Sequence, residues 1–267
     1  MKIIDAFTFY NELDLLLYRL TALDNVVDYF IIVEATKTHA GKDKELFFEN
    51  NKHLYEKFLP KIIHIIDEDL FVPDISAGQQ WNNEIHQRDD IYRGLEILDP
   101  LLTPSDYIVI TDLDEIPDPK VLLDLKNGNI NHDYGALEMD FYYYNLNCKM
   151  AEIWYHGKVV KYGIFKSNPN VTCNQIRMSR PNSIIKKGGW HLSYFGDGNF
   201  IKNKLENFAH QEFNKEQYTN IDNINTSINN FSDIFKRPNC EQYKIPISEN
   251  KYLPPLYDTM LTRFIKC

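Results

Sequence analysis

The residues best suited to chemistry are Asp112-Leu113-Asp114-Glu115, which follow directly on the apolar run Tyr107-Ile108-Val109-Ile110-Thr111. Carboxylates at i and i+2 of an extended segment point to the same face, and strand rise sets their Cα atoms about 6.6 Å apart. Side chains of that length can converge on one hard divalent ion, directly or through water, and such an ion keeps positions open for phosphate oxygens. Glu115 adds a third acid. Three carboxylates packed at a strand end repel one another unless a cation or a base lies close. A solvated acidic turn has the same composition, but a fully apolar strand leading into the motif argues for a site.

Other groups could serve the same chemistry. Arg88 falls on the stripe Trp81, Ile85, Tyr92 and Leu95 of a helical pattern. A guanidinium buried there needs an anionic partner, either a core carboxylate or a phosphate. Glu34 ends the apolar run Tyr29–Ala35, placed to accept a hydrogen bond from a ribose or base, or to stand as an exposed charge. The segment Gly188-Gly189-Trp190-His191-Leu192-Ser193 combines flexible backbone, a large ring and an imidazole. Trp190 could stack on a sugar, and His191 could bind a metal or a phosphate; both also fit ordinary core packing.

The elements that must position these residues alternate through the first half of the chain. Strands are expected at 3–9, 29–35, 62–66 and 107–111. Helices are expected after the Asn11 cap, over 79–98 up to Pro100, and from Pro119 to 126. That order predicts an α/β fold with a mostly parallel central sheet flanked by helices, whose ligands bind at the carboxyl ends of the strands. Strands expected at 134–144, 159–166 and 184–194 add a mixed or antiparallel portion, followed by a helix at 199–210 and an Asn-rich, Pro-punctuated tail. The reading is one domain: a ligand-binding half over 1–130, a second half over 131–210 and a less regular segment over 211–267.

Composition narrows the function classes. The net charge of −9, with no basic block, argues against a nucleic-acid surface. An aromatic content of 13% suits a sugar-facing cleft as well as an aromatic core. Cys148, Cys173, Cys240 and Cys267 lack metal-ligand spacing and read as free thiols in a reducing compartment. No signal peptide is visible and no apolar run approaches the roughly 18–20 residues of a membrane span. The chain therefore reads as soluble and cytoplasmic, the sequons at Asn170, Asn225 and Asn230 as chance matches, and the wealth of Asn, Ile and Lys as the mark of an AT-rich genome, bacterial or of a large virus.

At these residues the chain resembles glycosyltransferase family 17, the β-1,4-mannosyl-glycoprotein β-1,4-N-acetylglucosaminyltransferases or bisecting-GlcNAc transferases. The stretches that carry the resemblance are Asp5-Ala6-Phe7 with Asn11–Leu16, Tyr29–Thr36 with Thr38–Lys42, Gln87-Arg88, Asp112–Pro117 and Gly189–Ser193. The last 55 or so residues carry no matching motif. The resemblance implies a GT-A type Rossmann-like fold, a UDP-sugar donor, a divalent ion such as Mn²⁺ or Mg²⁺, inversion at the anomeric carbon, and a glycan or glycoconjugate acceptor. It places Asp112 and Asp114 on metal and donor, with His191 a further metal ligand. It places Phe7, Thr8, Glu34, His39, Lys42, Arg88 and Leu113 near the donor. Trp190, Glu138 and Asp140 fall to the acceptor side. Asp197 is the first choice of general base because it follows the Trp190-His191 loop, with Glu138, Asp140 and Glu212 as rivals and Glu115 beside the metal as a further catalytic carboxylate.

Two competing readings stay open on sequence. A haloacid-dehalogenase-type phosphotransferase or phosphatase also uses a strand-end Asp-x-Asp, but places Thr or Val where Ile116 stands and carries the motif near its start. A non-catalytic sugar-binding module on the same scaffold would retain the ring and the imidazole without turnover.

Overall fold

The computed structural model describes residues 1–180, 183–238 and 240–266. Four apolar runs become parallel strands: β1 (Ile3–Phe9), β2 (Tyr29–Ala35), β3 (Ile62–Asp67) and β4 (Tyr107–Asp112), in spatial order β3-β2-β1-β4. Strands sandwiched between helices need side chains that can be buried on both faces. The helix Leu13–Leu23 sends Leu16, Leu20 and Leu23 onto one side with Phe7 and Val109, and the helix Ile91–Leu98 sends Ile91, Leu95 and Leu98 onto the other with Ile4 and Ile31.

The remaining strands are β5 (Glu115–Pro117), β6 (Tyr134–Tyr143), β7 (Cys148–Trp154), β8 (Lys158–Lys161), β9 (Ile184–Ser193) and β10 (Gln242–Lys244). Antiparallel β8 extends the sheet beyond β4; β6 pairs antiparallel with β8 and β7 and parallel with β9, and β9 also carries β5. The sheet is therefore mixed, as the change of pattern after residue 130 predicts. Gly189, at φ +143°, lets β9 close on β5: a Cβ there would lie 2.1 Å from the Ile116 carbonyl oxygen.

Three expectations shift. The 159–166 segment is strand only to Lys161 and then turns into the helix Tyr162–Ser167. The segment β7, too polar on one side to stand out, is a strand. The long helix over 79–98 is two, Gln80–Asp89 and Ile91–Leu98, meeting at Asp90. In the first of these only Arg88 of the stripe is buried: Gln80, Asn83 and Gln87 go inward with it, while Ile85 is exposed. A polar face can be buried because it is satisfied there: Gln87 donates to the Val33 carbonyl at 3.0 Å and Asn83 to the Phe71 carbonyl at 2.9 Å.

Cys148, Cys173 and Cys240 are free thiols; Cys267 lies outside the described residues. Among the described residues no helix is long and apolar enough to cross a membrane.

Candidate active site

The motif loop is held from below by a residue with no sequence signal. Arg19, fully buried on the helix Leu13–Leu23, grips Asp5 of β1 through two bonds of 2.8 and 2.6 Å. Its Nη1 donates to the carbonyls of Asp112, Leu113 and Glu115 at 2.9, 3.0 and 2.8 Å, and its Nη2 also donates to the Thr111 hydroxyl at 2.5 Å. One guanidinium thus fixes the backbone of the whole acidic turn, and its paired carboxylate makes its burial tolerable.

A cavity of about 430 Å³ opens above that turn, at the carboxyl ends of β1 and β4. Thr8, His39, Arg88, Asp112, Leu113, Asp114 and His191 all line it. The two aspartates face different cations. Asp112 accepts from Arg177 Nη2 at 2.6 Å and from Arg88 Nη2 at 3.4 Å; Asp114 accepts from Lys204 at 2.8 Å, with His191 Nε2 at 3.6 Å. Burial pushes both carboxyls up, but Arg177 and Arg88 outweigh it at Asp112, and Lys204 and His191 at Asp114, so both lie below their ordinary values. The same pairing, against the cost of burial, raises Lys204 through Asp114 and Glu12, and Arg177 through Asp112 and Glu115.

Arg177 and Lys204 carry much of this network, and neither stands out in the sequence. Arg177 sits on the six-residue helix Cys173–Met178, which starts with a capping box between Thr172 and Gln175 and docks on the Gln80–Asp89 helix through Asn174. Lys204 lies on the helix Gly198–Asn207. A lone Arg or Lys in a polar segment gives no local sign that a carboxylate far along the chain will meet it.

Glu115 is not placed to act on a substrate. It is fully buried, and its two oxygens accept four hydrogen bonds, from Arg177 (2.8 and 2.6 Å), the Asp112 amide (3.0 Å) and Trp154 Nε1 (2.6 Å). Its role is to position Arg177 and Trp154.

Strand parity sorts the second half of the sheet. Phe141 and Tyr143 of β6, Glu152 and Trp154 of β7, and His191 and Ser193 of β9 all face the cavity, as alternate residues of neighbouring strands must. Phe141 stacks on His191 with centroids 4.5 Å apart, and Trp154 lies 4.3 Å from the same imidazole. Trp190, Glu138 and Asp140 carry the opposite parity and do not line it. Trp190 is buried, donates to the Tyr252 carbonyl at 3.0 Å and packs on its ring. Glu138 pairs with Lys186 at 2.5 Å, and Asp140 with Lys149 at 2.5 Å.

Other expected site residues also stay away from the cavity. Asp197 is exposed and caps the Gly198–Asn207 helix, accepting from the Phe200 amide at 2.8 Å. Glu212 pairs with His210 at 2.6 Å on the surface. Phe7 is core, with the Arg19 guanidinium 4.3 Å over its ring. Glu34 is fully buried and accepts from the Phe48 and Glu49 amides at 3.0 and 3.3 Å, with Lys44 and His64 beside it. Lys42 donates to the Glu206 carbonyl at 3.0 Å. The tail contributes more than expected: Phe213, Phe235 and Arg237 line the cavity.

For a divalent ion, Asp112 and Asp114 each keep one oxygen whose nearest partner is at 3.4 or 3.6 Å, and neither carboxyl readily protonates. That donor pair fits a hard ion that draws its other ligands from phosphate and water. His191 Nε2 faces Asp114, while its Nδ1 is buried without a partner. Among the described residues, the set of three ligand groups whose atoms lie within 4.8 Å of one another is Asp67, Asp69 and His86, away from this cavity.

A mixed sheet with helices on both faces and a charged cleft at the carboxyl ends of its parallel strands defines a Rossmann-like α/β fold. The family is specific: the model described as glycosyltransferase family 17 matches residues 1–247, and the chain belongs to that family. Among solved structures it is similar to residues 1–349 of S. aureus TarS, with 11% identity and a TM-score of 0.41 over 77% of this chain; it spans 64% of that chain. It is also similar to a 4-diphosphocytidyl-2C-methyl-D-erythritol synthase, with 10% identity and a TM-score of 0.39 over 69% of this chain and 88% of that one. The inositol-1-phosphate CTP transferase of T. maritima gives 10% identity and a TM-score of 0.34 over 100% and 98%. No curated protein matches the chain.

Proposed function

We propose that the chain is an inverting glycosyltransferase that moves a sugar, GlcNAc by the family's precedent, from a UDP-sugar to a hydroxyl of a glycan with the help of Mn²⁺ or Mg²⁺. The observation that carries this reading is the Asp112/Asp114 pair, both carboxyls lowered and each with one oxygen held only at 3.4 or 3.6 Å, lining a cavity at the ends of β1 and β4. A bound divalent ion supplies neutralisation of the diphosphate leaving group. Asp112 and Asp114 would hold it. Arg177, Arg88 and Lys204 keep these carboxylates charged, and Arg88 and Lys204 also line the cavity, adding positive potential where phosphate oxygens would lie. Thr8, near the end of β1, falls to the nucleoside side, and His39, in the loop after β2, to the diphosphate. His39 is oriented by its 2.8 Å bond to Gln87.

A thermal-shift screen of UDP-, GDP- and CMP-sugars, with and without Mn²⁺, tests the reading. UDP-GlcNAc with Mn²⁺ should stabilise the protein by about 2.7 kcal/mol at a hundred times its Kd. Asp114→Ala should lose the metal-dependent part. Absence of any stabilisation that needs both nucleotide and metal would sink the proposal.

A further inference from the structure

Five carboxylate side chains line the cavity: Glu12, Glu84, Asp112, Asp114 and Glu152. Four face a cation. Glu12 lies 3.7 Å from Lys204, Glu84 2.8 Å from Arg88, Asp112 2.6 Å from Arg177 and Asp114 2.8 Å from Lys204. Glu152 is exposed and, among the described residues, forms neither an ion pair nor a side-chain hydrogen bond. It stands two residues before Trp154 on β7, hence on the same face of the strand. Trp154 in turn is fixed by Glu115 and abuts Phe141 and His191.

A general base needs a lone pair that is free and a position beside the nucleophile. We propose that Glu152 is that base, and that the ring wall of Phe141, Tyr143 and Trp154 seats the acceptor beside it. The proposal rests on the transferase reading above. In the step, the acceptor hydroxyl gives its proton to the Glu152 carboxylate as its oxygen bonds to C1 of the donor sugar. The bond from C1 to the phosphate oxygen breaks, and its electron pair leaves on the nucleoside diphosphate. The cavity imidazoles are less free: His39 is bonded to Gln87, His210 to Glu212, and His191 is buried against two rings.

The test uses the full chain with UDP-GlcNAc and Mn²⁺, following UDP release with water or sodium azide as acceptor. Water must lose a proton to react and azide need not. Glu152→Gln should slow release in water by about 10²- to 10⁴-fold while UDP still stabilises the variant as it does the wild type. With Glu152→Ala, azide should restore release towards the wild-type rate and yield the glycosyl azide of inverted configuration. Release by Glu152→Gln within about threefold of wild type, or an alanine variant that azide fails to rescue, would overturn the assignment of the base and leave the donor reading standing. A wild-type chain that no UDP-sugar stabilises would instead overturn the donor reading.

Discussion

The two halves of the cleft present their chemistry by different means. In the parallel half, Thr8 and Asp112 project from strand ends, and Leu113 and Asp114 follow in the turn. In the mixed half, Phe141, Trp154 and His191 project from the faces of β6, β7 and β9. A strand end delivers whatever follows the last ladder bond, so a run of consecutive residues reaches the cleft. A strand face delivers alternate residues only, so neighbours such as Trp190 and His191 have unrelated roles. The halves are tied through Glu115, which takes Arg177 on one side and Trp154 on the other.

That tie gives the largest expected effect. Arg177→Met would leave Glu115 fully buried without its cation, and breaking a buried pair from one side costs about 3–5 kcal/mol. Denaturant unfolding should show that loss. The pH dependence follows from Asp112, whose carboxyl is driven up by burial and, more strongly, down by Arg177 and Arg88. A carboxyl lowered on folding stabilises the native state above its unfolded pKa and loses that contribution as pH falls through its folded one. The gap between wild type and variant should therefore be widest above the ordinary carboxyl value of 3.8 and narrow below it. A loss under about 1 kcal/mol would mean that the two halves are not joined through this residue.

The next contrast tests parity. Trp190→Leu, in the core on the far face, should cost about 2 kcal/mol and leave the KM for the donor and kcat per folded molecule near wild type. Trp154→Leu should cost less stability and act mainly on turnover, because it removes a ring of the cavity wall and one of the four donors to Glu115. Steady-state UDP release, normalised to the folded fraction, separates the two. Equal kinetic losses from both variants would break the distinction between the faces.

The same contrast explains what the sequence made legible. The parallel strands could be read because strands covered on both faces need unbroken apolar runs, and Asp112–Glu115 because a strand end breaks such a run with charge. The Gln80–Asp89 helix misled for the converse reason: its inward face meets a polar cleft, so Gln87 and Arg88 are buried while Ile85 is exposed. β7 escaped notice because its cavity-facing Glu152 lies in a strand with only one face packed. Arg19, Arg177 and Lys204 could not be read at all. Each is defined by a partner 14, 62 or 65, and 90 residues away in the chain, and such pairings exist only once the sheet has formed.

The smallest expected effect belongs to Asp197, the carboxylate whose place after the Trp190-His191 segment made it the first choice of base. Its oxygen accepts from the Phe200 amide at 2.8 Å at the start of the Gly198–Asn207 helix. It is exposed and lies outside the cavity. Replacing an N-cap aspartate with alanine costs about 0.5–2 kcal/mol, so Asp197→Ala should lower Tm by a few degrees. Turnover should change little, because Lys204 lies seven residues further along the helix, beyond its first turn. Asp197→Asn, which can still cap, should recover most of the stability. A large fall in kcat for the asparagine variant at unchanged Tm would return Asp197 to the reaction and displace Glu152 from it.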